Sequence, residues 1–399
     1  MREGWRRIPL GEVATLGLNR VQVAAGCSYE MAGVYNGGKG VFPRERLSSE
    51  GTRYTHLHQL KQGQLVMRKL TAFEGSIGIV PPSLAGYYVS TEFPTFNLDR
   101  EQVLPEFVAL VCQLPSFWNE MWLRSTGTVQ RRKRVNPDAL LSIEIGLPPL
   151  SEQERIVDLI GSLDGVRVTA QGTGEAASDA VQAYIGGFLY DAEGRHPKVT
   201  LGEIADVNPE PARFEPDEWI RYVDLGSVTA GSGIDMSALG AYAFADAPSR
   251  ARRVIRTGDV LVSTVRPNLR GFAVCPPELH GGVASTGFCV LRAKQGVEPG
   301  YLWSCVRSDA FVAGLMLRAT GSSYPAVRST DVAAQSFSLP PLDEQTQVAQ
   351  VIAALDSVSG ASLATAVRAQ SARDAVLEEL LSGERGVPDS YDELLGEAV

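Results

Sequence analysis

Four consecutive cations, Arg131-Arg132-Lys133-Arg134, follow Gln130 and the polar run Ser125-Thr126-Gly127-Thr128. Lysine and arginine neutralise phosphates, Gly, Ser and Thr offer further donors to the same oxygens, and arginine can grip a guanine edge bidentately. The chemistry on offer is nucleic-acid binding, with a solvated basic loop as the plain alternative. Later in the chain, Thr320-Gly321-Ser322-Ser323-Tyr324 holds the same place with one cation, Arg328. Arg68 and Lys69 in the first half, and Arg266 with Arg270 in the second, form another candidate pair of positions. Ser90-Thr91 and Ser285-Thr286, each just ahead of a Phe-containing run, complete the set.

Those positions recur because the chain repeats. LPPLSEQERIVDLIGSLD (147–164) and LPPLDEQTQVAQVIAALD (339–356) are near copies, 192 residues apart. That period is far beyond the 20–50 residues of a solenoid unit, so it describes two domain-sized halves. Other landmarks keep their order: Leu10-Gly11-Glu12 with Leu201-Gly202-Glu203, Pro81-Pro82 with Pro276-Pro277, and Thr126-Gly127 with Thr320-Gly321. Matching scaffolds with divergent residues between them suit two modules that bind different versions of one ligand.

The elements that position these residues are short strands punctuated by Gly and Pro. VSTEFPTFNL (89–98) and ASTGFCVLRA (284–293) alternate as β-strands do. Helices are expected over 104–122, kinked at Pro115, and over 299–317. After each Pro-Pro pair a long amphipathic helix begins, with Ser151 and Glu154 as a capping box and Asp343 as the second N-cap. Ile156, Leu159, Ile160 and Leu163 form one stripe, and Val348, Val351, Ile352 and Leu355 the other. Gly172 and Gly174 should break or bend the first helix. The second runs to a stop at Gly383, and ~40 residues would span about 60 Å. The expected fold is α+β: two pseudo-repeated α/β modules and two long helices packed as an antiparallel pair. The divisions are 1–150, a first helical segment 151–196, 197–342, a second helix 343–383 and an acidic tail 384–399.

Composition narrows the function. Net charge is −9, but residues 1–150 hold 17 Lys+Arg against 13 Asp+Glu, and 197–340 hold 14 against 14. The helical and tail segments carry the acid, so a nucleic-acid ligand remains open for the modules. The sequence contains no phosphate-loop motif, no HExxH and no methyltransferase signature, and its four histidines (56, 58, 196, 280) form no ligand array. Neither catalysis nor a cofactor or metal is expected. Five cysteines without a CxxC pair fit reduced thiols, and no apolar run or apolar leader is evident, so a cytoplasmic protein without a membrane role is expected.

The LPPL-[SD]-EQ helix starts, the Leu-Gly-Glu openings, GDVLVSTVRP (258–267), STGFCVL (285–291), ATGS and the QRRKRV loop resemble specificity (S, HsdS) subunits of type I restriction–modification systems, over nearly the whole chain. The resemblance implies two target recognition domains, each reading half of a split double-stranded DNA site. It implies helices that space the halves and dock two methyltransferase (M) subunits, with motor-nuclease (R) subunits joining for cleavage. Methylation would fall on adenine N6, carried out by the partner with S-adenosylmethionine. The competing reading is a protein-interaction scaffold with two copies of a partner-binding module and no DNA role.

Overall fold

The computed structural model describes residues 4–129, 132–189, 194–229, 233–388 and 391. The chain divides into two compact units, Met1–Thr169 with Ala366–Val399, and Ala170–Thr365. Each unit therefore contains one module and half of each long helix.

The two modules share one scaffold. In the first, a four-stranded antiparallel sheet runs Ile77–Ile79, Leu65–Met67, Thr95–Leu98, Ala14–Leu16; in the second, the matching order is Phe272–Val274, Val260–Ser263, Phe288–Ala293, Ala205–Val207. A two-stranded ribbon ties each module's start to its end, Arg6–Pro9 to Glu144–Leu147 and Lys198–Thr200 to Ser336–Ser338. The second sheets differ. Three antiparallel strands serve the first module, whereas the second has four, with Trp219–Val223 and Val283–Ser285 parallel. The runs expected as single strands over 89–98 and 284–293 each split at the Ser-Thr pair. Residues before it join one sheet and residues after it the other, so Ser90-Thr91 and Ser285-Thr286 are corners.

The expected helices over 104–122 and 299–317 are also divided: Pro105–Val111 and Pro115–Leu123, then Pro299–Arg307 and Asp309–Met316. Pro115 starts a new helix where its missing N–H costs nothing. Ser308 does the same work differently, in an extended conformation with its hydroxyl accepting from Phe311 N at 3.1 Å.

The long helices span Leu150–Leu189 and Leu342–Leu381. Both begin one residue before the expected caps, which leaves Ser151 and Asp343 inside the first turn. The anchoring residue is the buried glutamine of the EQ pair. Gln153 Oε1 accepts from Leu104 N (2.8 Å), and its Nε2 donates to Gln102 O and Pro148 O (both 2.9 Å). Gln345 repeats this, accepting from Glu298 N (3.0 Å) and donating to Pro340 O (2.9 Å). Its amide fastens the helix start to the module, satisfying backbone groups that a Pro-Pro turn leaves without partners.

The first helix is unbroken at Gly172 and Gly174, contrary to expectation. Tertiary contact explains it. Gly174 lies against the second helix, where Ser359 Oγ donates to its carbonyl at 2.9 Å, and a Cβ there would stand 2.8 Å from Leu363 Cγ. In the first unit Asp164 meets Arg373 Nε at 3.1 Å, and in the second Gly174 meets Ser359, so the two long helices pair inside each unit. Their stripes reach into the two module cores. Ile156, Ile160, Leu377 and Leu380 lie in the first module's core, and Val348, Ile352, Val181 and Ile185 in the second's, while Val351 is 40% exposed. The helix Leu342–Leu381 is also long and apolar enough, by length and composition, to cross a membrane. Its largest buried side chains are those used in the two cores.

Gly174→Leu should therefore destabilise the second unit by about 1–3 kcal/mol through overpacking. Gly172→Ala, with nothing within 4 Å of an added Cβ, should stabilise it by up to about 1 kcal/mol through helix propensity. Urea denaturation of the two variants checks both, and equal effects would mean the glycines matter only as helix weakeners.

Candidate nucleic-acid interface

The Thr-Gly landmarks open a hairpin that both modules build in the same way. In the first, Thr126 and Arg134 exchange backbone hydrogen bonds (2.8 and 2.9 Å). In the second, Thr320 and Ala326 do so (both 2.9 Å). Gly127 at φ +121° and Gly321 at φ +95° turn the chain where a side chain is disfavoured. Behind each hairpin lies the strand of the central sheet. Lys69 O accepts from Val135 N (3.0 Å) and Lys69 N donates to Glu92 O (3.0 Å); Thr264 repeats both bonds with Val327 (2.9 Å) and Gly287 (2.8 Å). Hairpin, central strand and Ser-Thr corner are thus one assembly, present twice.

Side chains on this shared frame diverge. Gln130 and Arg131 lie outside the described residues. Thr126, Gly127, Thr128 and Arg132 are all exposed. Lys133 Nζ sits 3.8 Å over the Trp122 ring, which packs edge-on against Phe73. Arg134 is ion-paired with Glu92, Nη1 to Oε2 at 2.9 Å. Lys69 is half-buried, Ser90 is buried and Thr91 is exposed. Arg68 lines an open groove of about 1000 Å³ with Arg44, Arg46, Tyr54, Ser90 and Glu92. Sequence reading missed Arg44, Arg46 and Tyr54, which come from a loop that has no landmark in the other half. It also missed Glu92, which could have been found by setting STEF beside STGF.

In the second module Arg266 carries the sharpest geometry. Its backbone is left-handed, φ +50°, with N–H donating to Pro325 O at 2.7 Å. Its guanidinium stacks 4.1 Å from the centre of the Tyr324 ring and Nη2 donates to Ser323 O at 3.3 Å. Tyr324 is 66% exposed. Gly321, Ser322, Ser323, Thr286 and Arg328 are exposed as well, and Thr320 also faces solvent, whereas Ser285 is buried, its hydroxyl accepting from Gly287 N at 3.1 Å. Arg270, also left-handed at φ +52°, is engaged by the fold: it donates to Arg307 O at 3.1 Å and pairs with Asp309. The expected equivalence of Arg68-Lys69 with Arg266 and Arg270 does not hold. Thr71 (φ +57°) and Gly75 (φ +77°) flank the short helical turn Ala72–Glu74 as Arg266 and Arg270 flank Pro267–Leu269. The backbone at this turn is common to both modules, and what it displays is not.

Charge elsewhere supports packing. Burial pushes the Cys112 and Cys275 thiols up to about 12 and Cys289 to about 11, so these are neutral core groups. His56 and His58 lie on the strand His56–Gln59, with His58 Nδ1 3.2 Å from Phe93 O. Among the described residues no group of three or more His, Cys, Asp and Glu is placed to hold a metal ion.

Comparison with known proteins places this frame. Residues 2–172 match the family described as Type I restriction modification DNA specificity domain. Among curated proteins none matches the sequence. A solved structure described as the structural basis of complex assembly and conformational transition of the type I R-M system is 19% identical, with TM-score 0.59, covering 95% of this chain and 97% of that one. The S subunit of a type I restriction–modification system from M. genitalium is 12% identical, with TM-score 0.58, covering 94% and 96%. The HsdS subunit from Thermoanaerobacter tengcongensis is 21% identical over 96% and 98%, at TM-score 0.49. At these identities the two structures with TM-scores of 0.59 and 0.58 speak for the fold, and the family match speaks for the first module's role in DNA sequence specificity. Residues 2–172 thus match the type I restriction–modification DNA specificity domain, and the whole chain shares the fold of the solved type I restriction–modification structures.

Proposed function

We propose that the chain reads a split, asymmetric DNA site, one half per module, and directs partner subunits to it. The observation that carries this reading is the duplicated hairpin frame, which holds its backbone bonds constant while exchanging the side chains it displays: Arg134 and Glu92 in one module, Ala326 and Gly287 in the other. A scaffold binding two copies of one partner would need the displayed groups to match. Two different displays suit two different half-sites. Affinity comes mainly from phosphate neutralisation and selectivity from a few base-edge contacts in each module. The half-sites are separated by an undefined gap of ~5–8 base pairs, as reading from one side of the duplex about one turn apart requires.

In this reading two methyltransferase subunits dock on the long helices and methylate adenine N6 with S-adenosylmethionine, and motor-nuclease subunits join for cleavage. The chain itself supplies no reacting group. The protein acts in the cytoplasm, where its DNA is.

The test is co-expression with the partner methyltransferase and sequencing of methylated bases, beside a variant with Arg131–Arg134 changed to alanine. A bipartite motif is expected for the wild type. The variant should bind about 10-fold or more weaker at moderate salt, with the salt dependence of log affinity shallower by ~0.9 for each phosphate it no longer neutralises. A single contiguous palindrome would sink the two-module reading, and salt-insensitive behaviour without DNA modification would favour the protein scaffold.

A further inference from the structure

Glu92 is an unexpected residue for a phosphate-binding surface. It lines the groove of the first module among Arg44, Arg46 and Arg68, and 41% of its side chain is exposed there. A carboxylate at that place repels the DNA backbone. Its Oε1 accepts from Arg134 Nη1 at 3.1 Å, which fixes the carboxylate against the hairpin.

The second module shows that the frame does not need this pair. Gly287 stands at the position of Glu92 and Ala326 at that of Arg134, yet the backbone bonds around them are retained: Lys69 N to Glu92 O (3.0 Å) and Thr264 N to Gly287 O (2.8 Å), with the Thr126–Arg134 and Thr320–Ala326 exchanges alike. The ion pair is a property of one module's display. A half-exposed pair of this kind adds little to stability. In a base-reading surface, the group a carboxylate recognises is an exocyclic amine, because an ionised glutamate can only accept.

Resting on the function proposed above, we infer that Glu92 is a base-reading group of the first module, accepting a hydrogen bond from cytosine N4 or adenine N6 in the major groove. Arg134 is its positioning residue: Nη1 lies 2.9 Å from the buried Oε2 and 3.1 Å from Oε1, which leaves Oε1 to accept from the base. The first module thus reads with an anionic head and the second with the cationic Arg266. The two half-sites differ in chemistry as well as in sequence.

The test uses the full chain with its methyltransferase on a randomised duplex library, with methylated sites sequenced. Glu92→Ala is expected to lose preference at one position of one half-site by about 5- to 150-fold, all other positions being unchanged. Arg134→Ala should broaden that same position, which a purely structural role would not do. The double variant Glu92→Gly with Arg134→Ala guards against misfolding, since it installs the residues that the second module already carries on this frame; it should show the same single-position loss. An unchanged motif, uniform weakening or uniform tightening at every position overturns the inference. A wild type that selects no split motif overturns the specificity reading first and this inference with it, and the wild-type lane alone reveals that.

Discussion

Arg292→Asn is expected to destabilise the second module by about 3–5 kcal/mol, because it leaves a buried carboxylate without its cation. Asp259 is 1% exposed, and Arg292 holds it bidentately, Nε to Oδ1 and Nη2 to Oδ2, both at 2.8 Å. Asp259 Oδ2 also accepts from Arg256 N at 2.8 Å, which closes the turn before the central strand. The first module makes the same latch from neutral groups. Gln64, 3% exposed, accepts from Lys61 N (3.0 Å) and donates to Asn97 Oδ1 (2.8 Å). Converting the second module to that chemistry, Asp259→Gln with Arg292→Asn, should recover most of the loss. A double-mutant cycle in urea measures the coupling. A single-variant loss under about 1 kcal/mol would show that water screens the pair.

Acid should weaken the charged latch. Glu210 bridges Arg256 (2.7 Å) and Arg292 (3.4 Å), and the Arg256 hydrogen bond holds its carboxyl below the usual range. A depressed carboxylate stabilises the fold fully above its unfolded pKa, and that contribution disappears as pH falls through the lower folded value. The amide latch of the first module has nothing to titrate.

Arg266→Gly is expected to separate stability from recognition. An L-residue in left-handed backbone costs about 1–2 kcal/mol, which glycine avoids. Loss of the stack on Tyr324 removes about 0.5–1 kcal/mol, so stability should change by no more than about 1 kcal/mol. Recognition should suffer. The guanidinium is held by Tyr324 and Ser323 on an exposed loop; in the function proposed above it would grip guanine O6 and N7 bidentately, and losing that grip costs about 1–3 kcal/mol of discrimination. Arg266→Lys keeps the charge and loses the fork, so it should keep the salt dependence and still relax one guanine position. The readouts are melting temperature and the methylated motif. A marked drop in stability with the motif intact would make Arg266 a structural residue.

Several features of the fold are legible in the sequence because the backbone itself dictates them. Pro-Pro is a barrier before a helix, and the Thr-Gly, Ser-Thr and Leu-Gly-Glu landmarks mark equivalent places in the two halves. Such constraints survive divergence, so the repeat is visible across 192 residues. Strand continuity through the corners and helix continuity past Pro115 and Ser308 are not legible there, since local alternation does not say which sheet a residue joins.

By itself the sequence determined the duplicated modules, the long helices that follow them and the cationic run after Thr126-Gly127, because composition, turn residues and periodicity are local properties. Only the tertiary structure decided what those residues do. Gly174 keeps the first helix whole because Leu363 and Ser359 lie against it, and Gln153 anchors that helix through backbone groups of Gln102 and Leu104. Glu92 meets Arg134 across 42 positions, and Arg270 is claimed by Asp309 while Arg266 is left to stack on Tyr324. Each of these depends on which distant group occupies a few ångströms of space, a quantity set by packing and absent from any single stretch of chain.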